Sequence, residues 1–236
     1  MKHALNRLLR KTIGYEIRRP IRTPVDIMRA RQIDVVLDVG ANVGQYASTI
    51  RRQGYDKEIV SFEPVKVCFD ILRALSEKDA LWETRHTGIG NFDGSARINV
   101  SDNIVYSSFY QPSSSVTAFD KRAARDRTEE VRICKLDSIY TYGPRRVYLK
   151  IDTQGYEREV LLGVERNLDK ISAVQVELGT MQLYEAQPSY IEVCRFMQDS
   201  RFSVAQIYSS EHFAADGKLL DMDIVFINDR LSPTSA

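Results

Sequence analysis

The sequence predicts an α/β fold, a doubly wound and mostly parallel sheet with an N-terminal helical extension, and three observations carry that prediction. Short apolar runs alternate with amphipathic stretches from residue 33 onward, the pattern of buried strands crossed over by helices. The first run ends in a glycine turn, Gly40-Ala41-Asn42-Val43-Gly44, that opens into a helical pattern. The second run closes on an acid, Glu63, where doubly wound folds place a ligand-binding carboxylate.

The elements follow in order. Residues 1–30 read as a basic helical extension, 31–230 as one domain and 231–236 as a disordered tail. In segment 1–20, Leu5, Leu8, Leu9 and Ile13 fall at helical spacing among Arg7, Arg10, Lys11, Arg18 and Arg19. Such a helix can dock its leucines on the domain, form a dimer contact or make peripheral contact with an anionic membrane; the short apolar stripe favours docking. Pro20 and Pro24 are expected to end it. The first strand spans 33–39 and its helix 42–53, with Asn42 as cap and Gly54 as terminator. A strand at 58–62, a helix at 65–75 and a strand at 81–87 follow. Then come an edge strand at 96–100, a serine-rich loop at 107–115 that could serve as a lid, and a charge-dense stretch at 120–132 expected as solvated helix or loop. Regular alternation returns with a strand at 146–151, a helix at 156–162, a strand at 171–178, a helix near Tyr190 to Met197 and a closing hairpin, 202–208 with 221–227.

Composition narrows the function classes. Residues 1–30 hold eight Lys and Arg against two Asp and Glu, so the rest, with 25 basic and 30 acidic residues, is net acidic. That balance argues against a surface that tracks phosphates, hence against nucleic acid as partner. Cys68, Cys134 and Cys194 lie far apart without metal-ligand spacing and read as reduced core thiols of a cytoplasmic protein. No apolar run approaches the ~20 residues that span a bilayer.

The chemistry concentrates after the first strand. Gly40 and Gly44 let the backbone pass close to a ligand, and the N–H groups of the following helix would face it. A dinucleotide site would show Gly-x-Gly-x-x-Gly, whereas this turn has Gly-x-x-x-Gly preceded by Asp38. An acid there repels a pyrophosphate but suits a ligand carrying an ammonium group, such as the methionine part of S-adenosylmethionine. Asp38 and Glu63 then form two halves of one cofactor site.

The motifs Leu37-Asp38-Val39-Gly40-Ala41-Asn42-Val43-Gly44, Phe62-Glu63-Pro64, Ile89-Gly90-Asn91-Phe92-Asp93-Gly94, Leu136-Asp137-Ser138 and Leu149-Lys150-Ile151-Asp152-Thr153-Gln154-Gly155-Tyr156-Glu157 resemble those of the FkbM family of S-adenosylmethionine-dependent methyltransferases. The resemblance covers residues 34 to 227 and implies a class I, Rossmann-like methyltransferase domain. It implies that Asp38, Gly40, Ala41, Asn42 and Gly44 line the methionine side of the cofactor, that Glu63 with Pro64 holds the ribose, and that Asn91 lies near the adenine. The family often has an acid where this chain has Asn91. It further implies O-methylation of a small molecule, with a sugar hydroxyl of a glycolipid, polysaccharide or glycosylated natural product as acceptor.

Asp152, at the end of the fourth strand of the alternation, sits where ligands collect in open α/β sheets. It could orient the acceptor hydroxyl, act as its base, cap the next helix, or bind a divalent metal with Glu177; the residues do not decide the metal. His86 and His212 are the other candidate bases, and Tyr184 with the serine-rich loop could contact the acceptor. Two rivals stand: an NAD-dependent oxidoreductase, disfavoured by the missing third glycine, and a non-catalytic binding module, which would transfer no methyl label.

Overall fold

The structure, a computed structural model, describes residues 22–231. The basic segment 1–20 and the tail from residue 232 lie outside the described residues. The first described helix, α1 (Pro24–Ala30), corrects one expectation: Pro24 starts a helix instead of ending one. It occupies the first turn, where a missing N–H is harmless, and Thr23 caps the helix in a reciprocal box with Asp26.

The strands are β1 (Val35–Val39), β2 (Glu58–Phe62), β3 (Trp82–Arg85), β4 (Gly88–Ile89), β5 (Gly94–Ser101), β6 (Arg125–Cys134), β7 (Val147–Ile151), β8 (Ile171–Gly179), β9 (Phe202–Ser209) and β10 (Asp221–Asn228). Seven form the main sheet in the order β3-β2-β1-β7-β8-β10-β9, with β10 antiparallel to both neighbours and the other pairings parallel. This is the doubly wound, mostly parallel sheet the alternation predicts, closed by the expected hairpin.

The remaining helices are α2 (Gln45–Arg52), α3 (Lys66–Ser76), α4 (Ser114–Phe119), α5 (Leu136–Ile139), α6 (Glu157–Leu162) and α7 (Tyr190–Asp199). Among the described residues none is long and apolar enough to cross a membrane. Ser189 caps α7 through a box with Glu192, just after Pro188.

Two expectations fail in the middle of the chain. The charged stretch 120–132 is mainly strand β6, the centre of a second, three-stranded sheet, β4-β6-β5. Val131, Ile133 and Cys134 are buried, whereas Arg127, Thr128, Glu130 and Arg132 are exposed, so the strand carries charge because these residues are solvated. The serine-rich loop is pinned rather than free: Ser108 exchanges backbone hydrogen bonds with Asn99 and donates its Oγ–H to the Gln154 carbonyl at 2.6 Å, and Ser113 donates to the Gln182 carbonyl.

Strand alternation splits the main sheet into two cores. Val35, Leu37 and Val39 of β1 join Leu149, Val176 and residues of α6 and α7 on one face. Val36 joins Tyr148, Ala173, Val225 and residues of α1 and α2 on the other. Continuing the second face by two residues along each strand reaches Asp38, Lys150, Gln175 and Asp223. The register sets Ser61, Asp38, Lys150 and Gln175 side by side across β2, β1, β7 and β8. One face of the sheet therefore turns from apolar to polar at the carboxyl end of its strands.

That end lies at the switch point, where the strand order reverses between β1 and β7. The two chains nearly touch there: the Asp152 N–H donates to the Val39 carbonyl, and a Cβ on Gly40 would lie 1.8 Å from the Asp152 carbonyl oxygen. Gly40 also has φ +78°, so its conformation and its packing both demand glycine. Gly40→Ala should cost about 3 kcal/mol or more of stability, from left-handed strain plus backbone displacement. Urea unfolding followed by circular dichroism measures it, and a loss below about 1 kcal/mol would contradict the close crossing.

Candidate functional site

A cavity of about 350 Å³ opens at this switch point. Its polar wall is the end of the face just described, Asp38, Lys150, Asp152, Gln154, Glu177 and Asp223. Its apolar wall is Val65 and Cys68 of α3, Ile98 of β5, Ile104 and Phe109, which pack in one cluster. Glu63 and Asn42 also line it, with Gly40, Ala41 and Pro64. Of the candidate cofactor and catalytic residues the sequence singles out, Gly44, Asn91, His86 and His212 are not among its lining residues.

The turn after β1 works differently from the sequence expectation. The helix starts at Gln45, not Asn42, because Asn42 and Gly44 both hold left-handed backbone conformations, φ 49° and 88°. Asn42 therefore caps nothing, and its Oδ1 is buried without a hydrogen-bond partner. The backbone N–H groups are already engaged: those of Gly40 and Ala41 donate to the Phe62 carbonyl, and that of Asn42 to Glu63 Oε2 at 2.8 Å. Those three N–H groups are spent within the protein, and the turn presents Asn42 Oδ1 beside the carboxylates. A Cβ on Gly44 would press on Trp82 and Leu72 at 3.0 to 3.2 Å, so this glycine serves helix packing.

Each carboxyl is held by specific partners. Asp38, 1% exposed, accepts from Ser61 Oγ, which in turn accepts from the Trp82 indole. Burial pushes its pKa up to about 6 against the pull of Lys150 and Ser61. Glu63 receives the N–H groups of Val65 and Asn42, one on each oxygen, yet burial pushes it up to about 7. Asp152 is the exception. Burial works to raise it, but Lys150 Nζ at 3.1 Å, with bonds to Gln154 and Glu177, holds it below the usual carboxylate range. Glu177 goes the other way, raised well above its usual value by burial and by the Asp152 charge. Within the pair a proton therefore favours Glu177 over Asp152.

Gln154 organises this pair. Its Nε2 donates to Asp152 Oδ1 at 3.0 Å and to Glu177 Oε2 at 2.7 Å, and its Oε1 accepts from the Tyr184 hydroxyl at 2.7 Å. The backbone bends sharply to place it, with φ 54° at Gln154 and 98° at Gly155, where a Cβ would strike Tyr184 at 2.9 Å. Glu157, 2% exposed, ties the bend down by accepting from the N–H groups of Thr153 and Gly155. Asp152 does not cap α6, whose first flanking residue is Tyr156 without a side-chain cap. The motif from Lys150 to Glu157 is thus one device: a buried cation, a carboxylate, a bridging amide, a glycine and an anchor.

The other expected site residues lie elsewhere. His86 donates its Nε2–H to the Pro64 carbonyl and stacks on Phe69 at 4.7 Å. His212 bonds Asp221 through Nδ1 at 3.0 Å on the far side of Glu177. Asn91 is exposed because the chain leaves the sheet after Ile89 to build β5, so Gly88 and Ile89 line the cavity in its place. Lys150, Gln154, Gln175 and Asp223 are the lining residues the sequence reasoning passed over. A lone Lys within the apolar run Val147–Ile151 was the available signal. Among the described residues no three His, Cys, Asp or Glu side chains are arranged to hold a metal.

Residues 38–204 match the methyltransferase FkbM domain. The chain belongs to the FkbM methyltransferase family. It is 28% identical over 179 residues to the methyltransferase sdnD of Sordaria araneosa, covering 64% of this chain and 69% of that protein. Among solved structures it is similar to the putative tRNA (m1A22) methyltransferase Sp1610 of Streptococcus pneumoniae in complex with S-adenosylmethionine, at 11% identity and TM-score 0.48 over 83% of this chain and 66% of that one. It is similar also to an rRNA methylase of Streptococcus thermophilus, at 10% identity and TM-score 0.48 over 89% of this chain and 99% of that one.

The cofactor of this methyltransferase is S-adenosylmethionine, and the cavity fits it chemically. Asp38, Glu63, Asp152 and Asp223 face one Lys150, so the cavity carries surplus negative charge for a cationic ligand. The unmet Asn42 Oδ1 awaits a donor, and the apolar wall offers a place for a flat ring. The balance around Lys150 can be tested without ligand. Lys150→Met should lose about 3–5 kcal/mol of stability at about pH 8, because it strands buried carboxylates. Without the ammonium their folded pKa values rise above the unfolded ones, so the deficit should shrink on going to about pH 5. Urea unfolding at both values checks it, and a pH-independent loss would contradict the role given to Lys150.

Proposed function

We propose that this FkbM-family enzyme methylates a hydroxyl oxygen of a small molecule, a sugar of a glycolipid, polysaccharide or glycosylated natural product. The observation that carries the oxygen-directed reading is the 3.1 Å contact of Lys150 with Asp152 at the cavity, which favours the ionised carboxylate there while burial and the Asp152 charge raise its neighbour Glu177. A neutral hydroxyl sheds a proton on methylation, and Asp152 is placed to accept it. The sugar class rests on the motif resemblance.

Bound S-adenosylmethionine supplies a methyl group already activated on a sulfonium for in-line displacement. The protein's share is positioning and charge. Asp38 pairs with the ammonium of the methionine part, and Glu63, each oxygen retaining a lone pair beside its backbone bond, accepts from the ribose hydroxyls. Asn42 Oδ1 accepts a further donor, Gly40, Ala41 and Pro64 shape the wall, and Ile89, Ile98 and Phe109 enclose the adenine. Gly44 acts through helix packing, Asn91 bounds the outer turn, and His86 fixes the Pro64 carbonyl beside Glu63. His212 belongs to the acceptor side. Apolar walls keep the reacting centre dry.

Glu63→Gln and Asp38→Asn should each weaken S-adenosylmethionine binding about 10- to 100-fold, the worth of a charged hydrogen bond. Affinity in the wild type should fall as pH drops through the Glu63 and Asp38 values of about 7 and about 6, because protonation removes the charges the cation meets. Calorimetric titration reads both, and unchanged affinity in both variants would place the cofactor elsewhere. Asp152→Asn should lower kcat about 100-fold, in a labelled-methyl transfer assay, with a much smaller effect on cofactor affinity. Transfer at the wild-type rate would remove Asp152 as base.

A further inference from the structure

A second cavity, of about 260 Å³, lies against the first. The two share Val105, Gln154 and Glu177 as lining residues, so the bridging amide and one carboxyl of the pair form the partition between them, with Asp152 on the side of the first cavity. Nothing in the cofactor reading uses this space. Its walls are two tyrosines, Tyr106 and Tyr184, with Val116, Leu183 and Leu220 behind them, and its polar groups are Gln154, Gln187, Glu157, Glu177, His212 and Asp221. No Lys or Arg occurs among the described residues lining it.

Those groups are built into place. Tyr184 is 1% exposed and is held by its bond to Gln154. Gln187 Oε1 accepts the N–H groups of Leu183 and Tyr184, which fixes the loop that carries both. The Glu157 carboxyl is occupied by Thr153 and Gly155, and Asp221 is paired with His212. An anionic acceptor entering here would face Glu157 and Asp221 with no Lys or Arg among the described lining residues to receive it, and the His212 ring is already paired with Asp221. An uncharged polyol meets the opposite situation, with tyrosine faces for its C–H surfaces and carboxyl, amide and hydroxyl groups for its hydroxyls.

We propose that this second cavity is the acceptor site and that it selects an uncharged, hydroxylated small molecule of about monosaccharide size, excluding phosphorylated, sulfated and carboxylated ones. The proposal rests on the methyltransferase reading of the first cavity and names the substrate class of that same reaction. A hydroxyl held here meets Gln154 and Glu177, which Gln154 links to Asp152 on the other side, so one wall serves both cavities.

The test uses the full-length enzyme, labelled S-adenosylmethionine and a small-molecule extract of the cells it comes from, separated after reaction into uncharged, anionic and macromolecular pools. Label is expected in the uncharged pool. Tyr106→Ala, on the wall of this cavity and away from the first, should raise the acceptor KM about 10-fold or more, with S-adenosylmethionine affinity kept within about twofold. Label confined to the anionic or macromolecular pool, label in no pool, or an unchanged KM would overturn the proposal while cofactor binding persists. Absence of cofactor binding by the wild type would instead sink the parent reading, so the two failures are distinguishable.

Discussion

The structure at the switch point depends on one buried ammonium. Lys150 is 4% exposed, at the carboxyl end of a strand whose other residues are apolar or aromatic. Its Nζ stands 3.1 Å from Asp152 and 3.8 Å from Asp223, and 5.6 Å from the centre of the Tyr46 ring. A lone cation in that position would cost several kcal/mol, and the surrounding carboxyls would cost as much without it. Together they hold each other in place, which favours an ionised Asp152 and directs a proton to Glu177 in preference. The aromatic and amide layer beneath completes the arrangement: the Tyr46 and Tyr148 hydroxyls both donate to Gln175 Oε1, and Gln175 Nε2 donates to Asp223. Every polar group of this floor is assigned a partner before any ligand arrives, so binding need not reorganise it.

How much of this the sequence discloses depends on whether the signal is local. The doubly wound sheet was legible because alternating strands and helices are local patterns, and β2 was legible to the residue. Asp38 and Glu63 were legible because strand ends before glycine or proline are. The row of Ser61, Asp38, Lys150 and Gln175 was not, since it exists only once four strands take their register. Asn42 misled for a related reason. It stands where a cap is expected, but the turn after β1, packed against the backbone that follows β7, takes left-handed conformations at Gly40, Asn42 and Gly44, and the helix starts only at Gln45. β6 misled because its charges follow from solvation, which a charge count cannot separate from a loop.

The glycines show the same division. Read along the chain, Gly40 and Gly44 are a ligand-binding turn. In space, Gly40 answers to the Asp152 carbonyl and Gly44 to Trp82 and Leu72. The cavity is thus a consequence of strand and helix packing, and its free surface is made of carboxylates because the turn's own N–H groups are spent on β2.

That surplus of carboxylates bears on turnover as well as on binding. On the proposed assignment, Asp38, Glu63 and Asp152 meet a ligand that is cationic at sulfur before transfer and neutral there afterwards. Their attraction to it therefore falls in the step that consumes it. The protein side changes in the same direction, because a proton accepted by Asp152 reduces the negative charge around Lys150 and weakens the field that held the cation. A cavity balanced by one lysine against several acids is in this way poised to bind the sulfonium reactant and to loosen around a product that has lost that charge, with no moving element required.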